Sequence, residues 1–283
     1  MSIIILRIAT VLYVAASAAY VLYFSRPRHA RLATAGFSIL AVAFLVHAVA
    51  IGVGCAEFGG REFFSLRGGA IFATWMAAGA FLVVHRAYRV PTLGAFVAPL
   101  VSVVLLPTLV STAGVPGIAE ETLRTPTVFV HVSAVGLALA LFGIAFGVAI
   151  MYLLQEREVK GKRFGALFSR LPSLDTLDRL NQRLVRAGWV FYTVALLFGT
   201  LTARKVWEGA WSWDPHLVIS VLVWLLYGAM VHLRRTGWHG RRYALLTLVG
   251  FAIVAGSMLT LEAIPGATRH AGNYGTVQAG GAP

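Results

Sequence analysis

The chain has 283 residues, 58% of them apolar and only 12% charged, with a mean hydropathy of +0.78. A soluble globular domain carries roughly 45–50% apolar and about 25% charged residues, so the composition excludes one and points to an integral membrane protein. The net charge of +13 fits either a nucleic-acid surface or loops on the cytoplasmic side of a bilayer, and its distribution along the chain decides between them. With one cysteine, Cys55, and no C-x-x-C-H motif, intramolecular disulfides, C-x-x-C redox chemistry and Cys-rich metal sites are excluded.

A bilayer-spanning helix needs about 20 largely apolar residues. Apolar runs bounded by charge, Gly or Pro fall at about 3–24, 32–53, 69–88, 92–112, 127–154, 188–203, 217–233 and 243–262, which predicts an all-α polytopic protein of about eight transmembrane helices. The first run, Ile3 to Phe24, is too long for a signal-peptide apolar region and lacks a small-residue cleavage pattern, so it reads as the first span. Pro91, Pro99 and Pro107 are positioned to break the fourth. In the connection 155–187, Leu171, Leu174, Leu177, Leu180 and Leu184 recur every three or four residues behind Ser173, a good N-cap. This pattern predicts a short amphipathic helix on the cytoplasmic surface. No repeat or low-complexity tract breaks the single membrane domain.

The loops alternate in charge. Arg26, Arg28 and Arg31 give +3, Arg86 and Arg89 give +2, the 155–187 connection gives +4, and Arg234, Arg235, Arg241 and Arg242 give +4. The intervening loops are neutral or, with Glu120, Glu121 and Arg124, at −1. The positive-inside bias therefore puts the basic loops in the cytoplasm and both termini outside. The charge reports topology and anionic lipid headgroups, and nucleic acid is the weaker reading.

Ionisable side chains within spans are functional candidates by default. Of the eight histidines, His29 and His239 sit in basic loops, and His216 follows Asp214 and Pro215 at the outer start of span seven, where it can cap or lie at the interface. His131, near the outer start of span five, and His270, in the outer tail, share the outer layer. His85 and His232 share the inner layer. His47 lies about 15 residues, some 22 Å of helical rise, from the inner end of span two and is a poor partner for His232. Two facing imidazoles at one depth suit a six-coordinate haem iron, while each histidine alone is as well explained by a hydrogen bond to a neighbouring helix.

The outer loop 206–216 concentrates Trp207, Trp211, Trp213, Asp214 and Pro215. An interfacial aromatic belt explains tryptophans at membrane edges in general. The close W-x-x-x-W-x-W-D spacing, with histidines at the same level, fits better a flat platform for a porphyrin face.

This loop resembles the tryptophan-rich WWD motif of the haem-handling family that includes CcmC, CcmF and CcsA (also called ResC), with HemX-like proteins as near relatives. The resemblance to the CcsA/HemX branch extends over roughly residues 30–275. It includes Thr236 to Arg242 (T-G-W-H-G-R-R), Pro172 to Leu174, Leu177 with Asp178, and Thr125, Pro126, His131 and Val132. It departs at Glu208, where glycine is usual, and at His216 and Leu217, where the family commonly continues D-P with K-E.

The resemblance implies non-covalent, transient haem b, with His131 and His270 as outer axial ligands and His232 as an intramembrane ligand. The other intramembrane ligand would come from a CcsB/ResB-type membrane partner, or from His85 on grounds of depth. Trp207, Trp211, Trp213 and Asp214 would line the outer site. It further implies a bacterial cytoplasmic-membrane protein that presents haem at the outer face for attachment to apocytochrome c, as part of a cytochrome c haem lyase (synthase). The alternative is a HemX-like role in haem synthesis or supply without attachment. A secondary anion transporter and a bis-histidine electron-transfer protein are the readings from other classes.

Overall fold

The computed structural model describes residues 1–26, 29–58, 65–110, 125–162, 165–206 and 215–263. Among these there is no strand. The helices are α1 (Ser2–Ser25), α2 (Ala30–Phe58), α3 (Leu66–Tyr88), α4 (Gly94–Leu105), α5 (Pro126–Lys160), the short α6 (Ala166–Arg170), α7 (Leu174–Val206), α8 (Pro215–Arg235) and α9 (Arg241–Ala263). Seven segments are long and apolar enough to cross a bilayer: α1, α2, α3, the stretch Pro91–Leu109 around α4, α5, α7 and α8. The chain is an all-α polytopic membrane protein, and α9 adds a further helix of 23 residues.

Local chemistry sets the helix ends. Ser65 caps α3 by accepting the Gly68 N–H at 3.0 Å, and Arg89 closes that helix in the left-handed region at φ 51° with its N–H on the His85 carbonyl. The three prolines of the fourth segment have distinct effects. Pro91 and Pro107 sit in the 3₁₀ turns Pro91–Leu93 and Leu106–Leu109 that flank α4, whereas Pro99 is held within α4. A proline lacks the N–H for a helical ladder but fits a first turn.

Packing divides the bundle into two groups. In the first, α1 lies against α2 and α4, and α3 against α2, α4 and α5; in the second, α5 lies against α7 and α9, and α8 against α7 and α9. The 35-residue α5 joins them and is the most enclosed span, 61% of its apolar window being buried. Its buried positions are rich in small residues, including Ala134, Gly136, Ala138, Ala145, Gly147 and Ala149. In lipid, where apolar surface gives little drive for association, such residues allow close backbone approach and dispersion contact. The other side of the α5–α7 seam is equally tight: a Cβ on Gly188 would lie 2.5 Å from the Phe142 ring, which stacks on Tyr227 at 3.7 Å.

The leucine-rich connection departs from the sequence-based expectation of a separate surface helix. Leu174 to Val206 form one continuous helix of 33 residues, roughly 50 Å at 1.5 Å per residue. Leu177, Leu180 and Leu184 are buried in the core of the bundle. The N–H of Thr176 donates to Ser173 Oγ at 3.3 Å at the start of this helix. The reason is that no proline interrupts the stretch and its leucine stripe finds protein rather than headgroups to pack on. Asn181 adds specificity here, its Nδ2 donating to Thr247 Oγ1 of α9 at 3.1 Å.

Gly188→Val should lower stability by about 1–3 kcal/mol, the usual cost of overpacking, and this is measurable as an earlier thermal unfolding midpoint in mild detergent. Gly52→Val, at a glycine with open space around it, should leave the midpoint nearly unchanged.

Candidate functional site

His131 sits one and a half turns into α5, after Pro126 has set the first turn. Its Nδ1 lies 2.7 Å from the Ala195 carbonyl of α7. A carbonyl only accepts, so Nδ1 carries the hydrogen and Nε2 keeps the lone pair. This is how proteins commonly orient a metal-ligating imidazole: the second ring nitrogen is fixed on a backbone carbonyl, which sets the tautomer and the ring plane. Gly199 makes the approach possible, since a Cβ there would stand 2.7 Å from His131 Cε1 and 2.8 Å from Nδ1. Neither Ala195 nor Gly199 stands out in the sequence, where both are small residues in an apolar span.

Gly199 is seven residues before Val206, the end of α7, about 10 Å of rise. The half-buried His131 ring therefore lies against the last turns of α7, which lead into the tryptophan loop, and α8 resumes at Pro215. Trp207, Trp211, Trp213, Asp214 and His270 lie outside the described residues.

His85 and His232 lie in different surroundings. His85 is set among aromatic rings of α1–α3: it stacks on Phe37 at 4.8 Å and meets Phe81 and Tyr20 edge-on at 5.7 and 6.4 Å. Its Nδ1 is buried without a hydrogen-bond partner among the described residues. His232 is exposed on α8, a helix packed against α7 and α9. His47 is fully buried, with Nδ1 3.4 Å from Tyr13 Oη, and serves the α1–α2 contact. His29 and His239 are exposed.

Two residues beyond His232, Arg234 turns into the protein. Its guanidinium forms a fork with the Asp178 carboxylate, Nη1 donating to Oδ1 at 2.9 Å and Nη2 to Oδ2 at 2.5 Å. Asp178 Oδ1 also accepts the Gly240 N–H at 2.9 Å. Among the described residues no three His, Cys, Asp or Glu side chains converge as a metal site. What the described residues offer is separate imidazoles, of which His131, held through Nδ1, presents Nε2 as a free ring nitrogen. Sequence reasoning did not single out Asp178 as a site residue; the signal available was an acid at a leucine-stripe helix otherwise dominated by arginines.

The carbonyl contact predicts that ¹⁵N spectra of histidine-labelled protein will show one imidazole locked as the Nδ1–H tautomer, with that signal absent from His131→Ala. Gly199→Val should mix the tautomers by displacing the ring. Persistence of the locked signal in Gly199→Val would contradict the packing described.

Residues 37–262 match the Cytochrome C assembly protein family. The cytochrome c biogenesis protein CcsA of Prochlorococcus marinus (strain NATL1A) is 31% identical over 216 aligned positions, covering 65% of this chain and 67% of the relative. The proteins of the same description from Thermosynechococcus vestitus and Synechococcus elongatus are 40% and 38% identical over shorter stretches of 86 residues, 30% of this chain and 27% and 26% of the relatives. The multi-pass helical bundle and the family match across four-fifths of its length, residues 37–262, agree, and the chain belongs to the cytochrome c assembly protein family.

Proposed function

We propose that this chain is a CcsA-type haem-handling subunit of cytochrome c maturation, which brings haem to the outer membrane face and presents it for covalent attachment to apocytochrome c. The observation that carries this reading is the His131 cradle. An imidazole fixed through Nδ1 on the Ala195 carbonyl, close-packed over Gly199, offers Nε2 beside the helix end that leads to the W-x-x-x-W-x-W-D-P loop.

Haem b is here the cargo. His131 and His270 would take its two axial positions at the outer face, and Trp207, Trp211, Trp213 and Asp214 would form the platform. Ligation by two neutral imidazoles fills the coordination sphere of the iron and shields it from other ligands. The histidine of the apocytochrome C-x-x-C-H motif then displaces one of them, leaving the vinyl groups to the two thiols. His232, exposed on α8, would serve as an intramembrane ligand facing a CcsB/ResB-type partner, which supplies the opposing histidine. The enclosure of His85 by Phe37, Phe81 and Tyr20 favours the partner over His85 for that role. The family resemblance implies the bacterial cytoplasmic membrane as the setting, and the charge distribution supports placing the loop on its outer side.

Deletion of the chain should abolish every c-type cytochrome on a haem-stained gel of membranes while b-type cytochromes persist. Loss of total haem together with b-type cytochromes would favour the HemX-like role in supply, and normal c-type cytochromes would overturn the proposal. Trp211→Ala should weaken haem binding by about 2- to 13-fold, the scale of a lost aromatic contact. Trp75→Ala should not, because Trp75 stacks on Phe44 at 5.0 Å and donates to its carbonyl, a packing role in the first group of helices. Equal small effects would return the loop to an ordinary interfacial belt.

A further inference from the structure

A buried charge pair inside a helical membrane bundle calls for an explanation, because two ions removed from water contribute little net stability even when well paired. Arg234 and Asp178 are such a pair, their side chains only 8% and 15% exposed. The pair is held from several sides: the carboxylate receives the guanidinium fork and the Gly240 N–H, and the guanidinium lies over the Tyr243 ring at 5.3 Å. Gly240 reaches the carboxylate in the left-handed region at φ 64°, and a Cβ there would stand 2.7 Å from Tyr152 Oη. Side chains or backbone of α5, α7, α9 and the α8–α9 turn thus meet at one point.

The consequence follows from helix geometry. Residues two apart on an α-helix are turned by about 200°. With Arg234 drawn into the bundle, His232 must face out of it, and it is exposed. We propose that Asp178 is a positioning residue for His232: by holding Arg234 inward it fixes the rotation of the last turns of α8 and aims the imidazole outward at the intramembrane haem. This rests on the reading of His232 as a haem ligand.

Without the carboxylate, a buried guanidinium has no partner and its drive is to reach water. Turning α8 to release it carries the imidazole the other way. An apolar side chain at 234 has no such drive, so removing both charges should let the helix keep its rotation.

The test uses the full chain purified in mild detergent from membranes that also contain its assembly partners, in a His131→Ala background that silences the outer site, with haem read by reduced absorption and pyridine haemochrome. His232→Ala should abolish the remaining low-spin signal. Asp178→Asn should lower occupancy about tenfold, the scale seen when a partner orienting a ligand is lost. The double variant Asp178→Asn/Arg234→Met should recover the signal. Retention of full occupancy in Asp178→Asn would overturn the inference, as would a double variant that stays empty, since that would mean a direct contact of Asp178 or a collapsed fold. If His232→Ala leaves the spectrum unchanged, the ligand assignment itself fails and the inference falls with it.

Discussion

The close approach of α5 to α7 is the constraint on which the bundle and its site both depend. Glycine on α7 makes it possible at two levels: Gly188 receives the Phe142 ring and Gly199 receives the His131 imidazole. In a bilayer the lipid tails are as apolar as leucine, so helices associate through contact and hydrogen bonding rather than through expulsion of water. A seam of small residues and flat rings satisfies that requirement. At the Gly199 level the same geometry brings a histidine nitrogen to a backbone carbonyl. The packing that stabilises the protein and the orientation of the His131 imidazole are therefore one feature.

The Leu174 end of α7 is built on a different principle. There the seam gives way to polar contacts: Asn181 with Thr247, and Asp178 with Arg234 and Gly240. Groups of this kind add little net stability when buried, but they tolerate few alternative arrangements, because each unpaired atom in a medium of low polarity is costly. They suit a place where the rotation of a helix matters more than its depth. The 33-residue length of α7 makes this arrangement possible, since its first turns carry Asp178 to the loop between α8 and α9.

Much of this architecture is legible in the sequence because membrane insertion imposes coarse rules. Composition indicated a membrane protein, and the lengths of the apolar runs indicated an all-α bundle. His131 became a candidate through its depth in span five together with the family resemblance, which Thr125 and Pro126 help to carry. What remained hidden was whatever depends on two helices at once. Nothing in the one-dimensional pattern tells that Gly199 faces His131, or that His85 is enclosed by Phe37 and Phe81. The leucine stripe at 171–184 misled for the same reason: its period is identical whether the helix lies on headgroups or enters a protein core, and only the partners of Leu177 and Leu180 distinguish the two. Nor does the sequence tell that Asp178 pairs with Arg234, 56 residues later.

The most direct test of the central claim is the absorption spectrum of the full chain purified in mild detergent, with a pyridine haemochrome assay, for the natural sequence and for the His131→Ala/His270→Ala double variant. A haem-handling protein with an outer bis-histidine site gives a reduced low-spin b-type spectrum that fades in the double variant and returns with added imidazole. A natural-sequence protein that stays colourless after haem loading, or a double variant with an undiminished spectrum, would contradict the account.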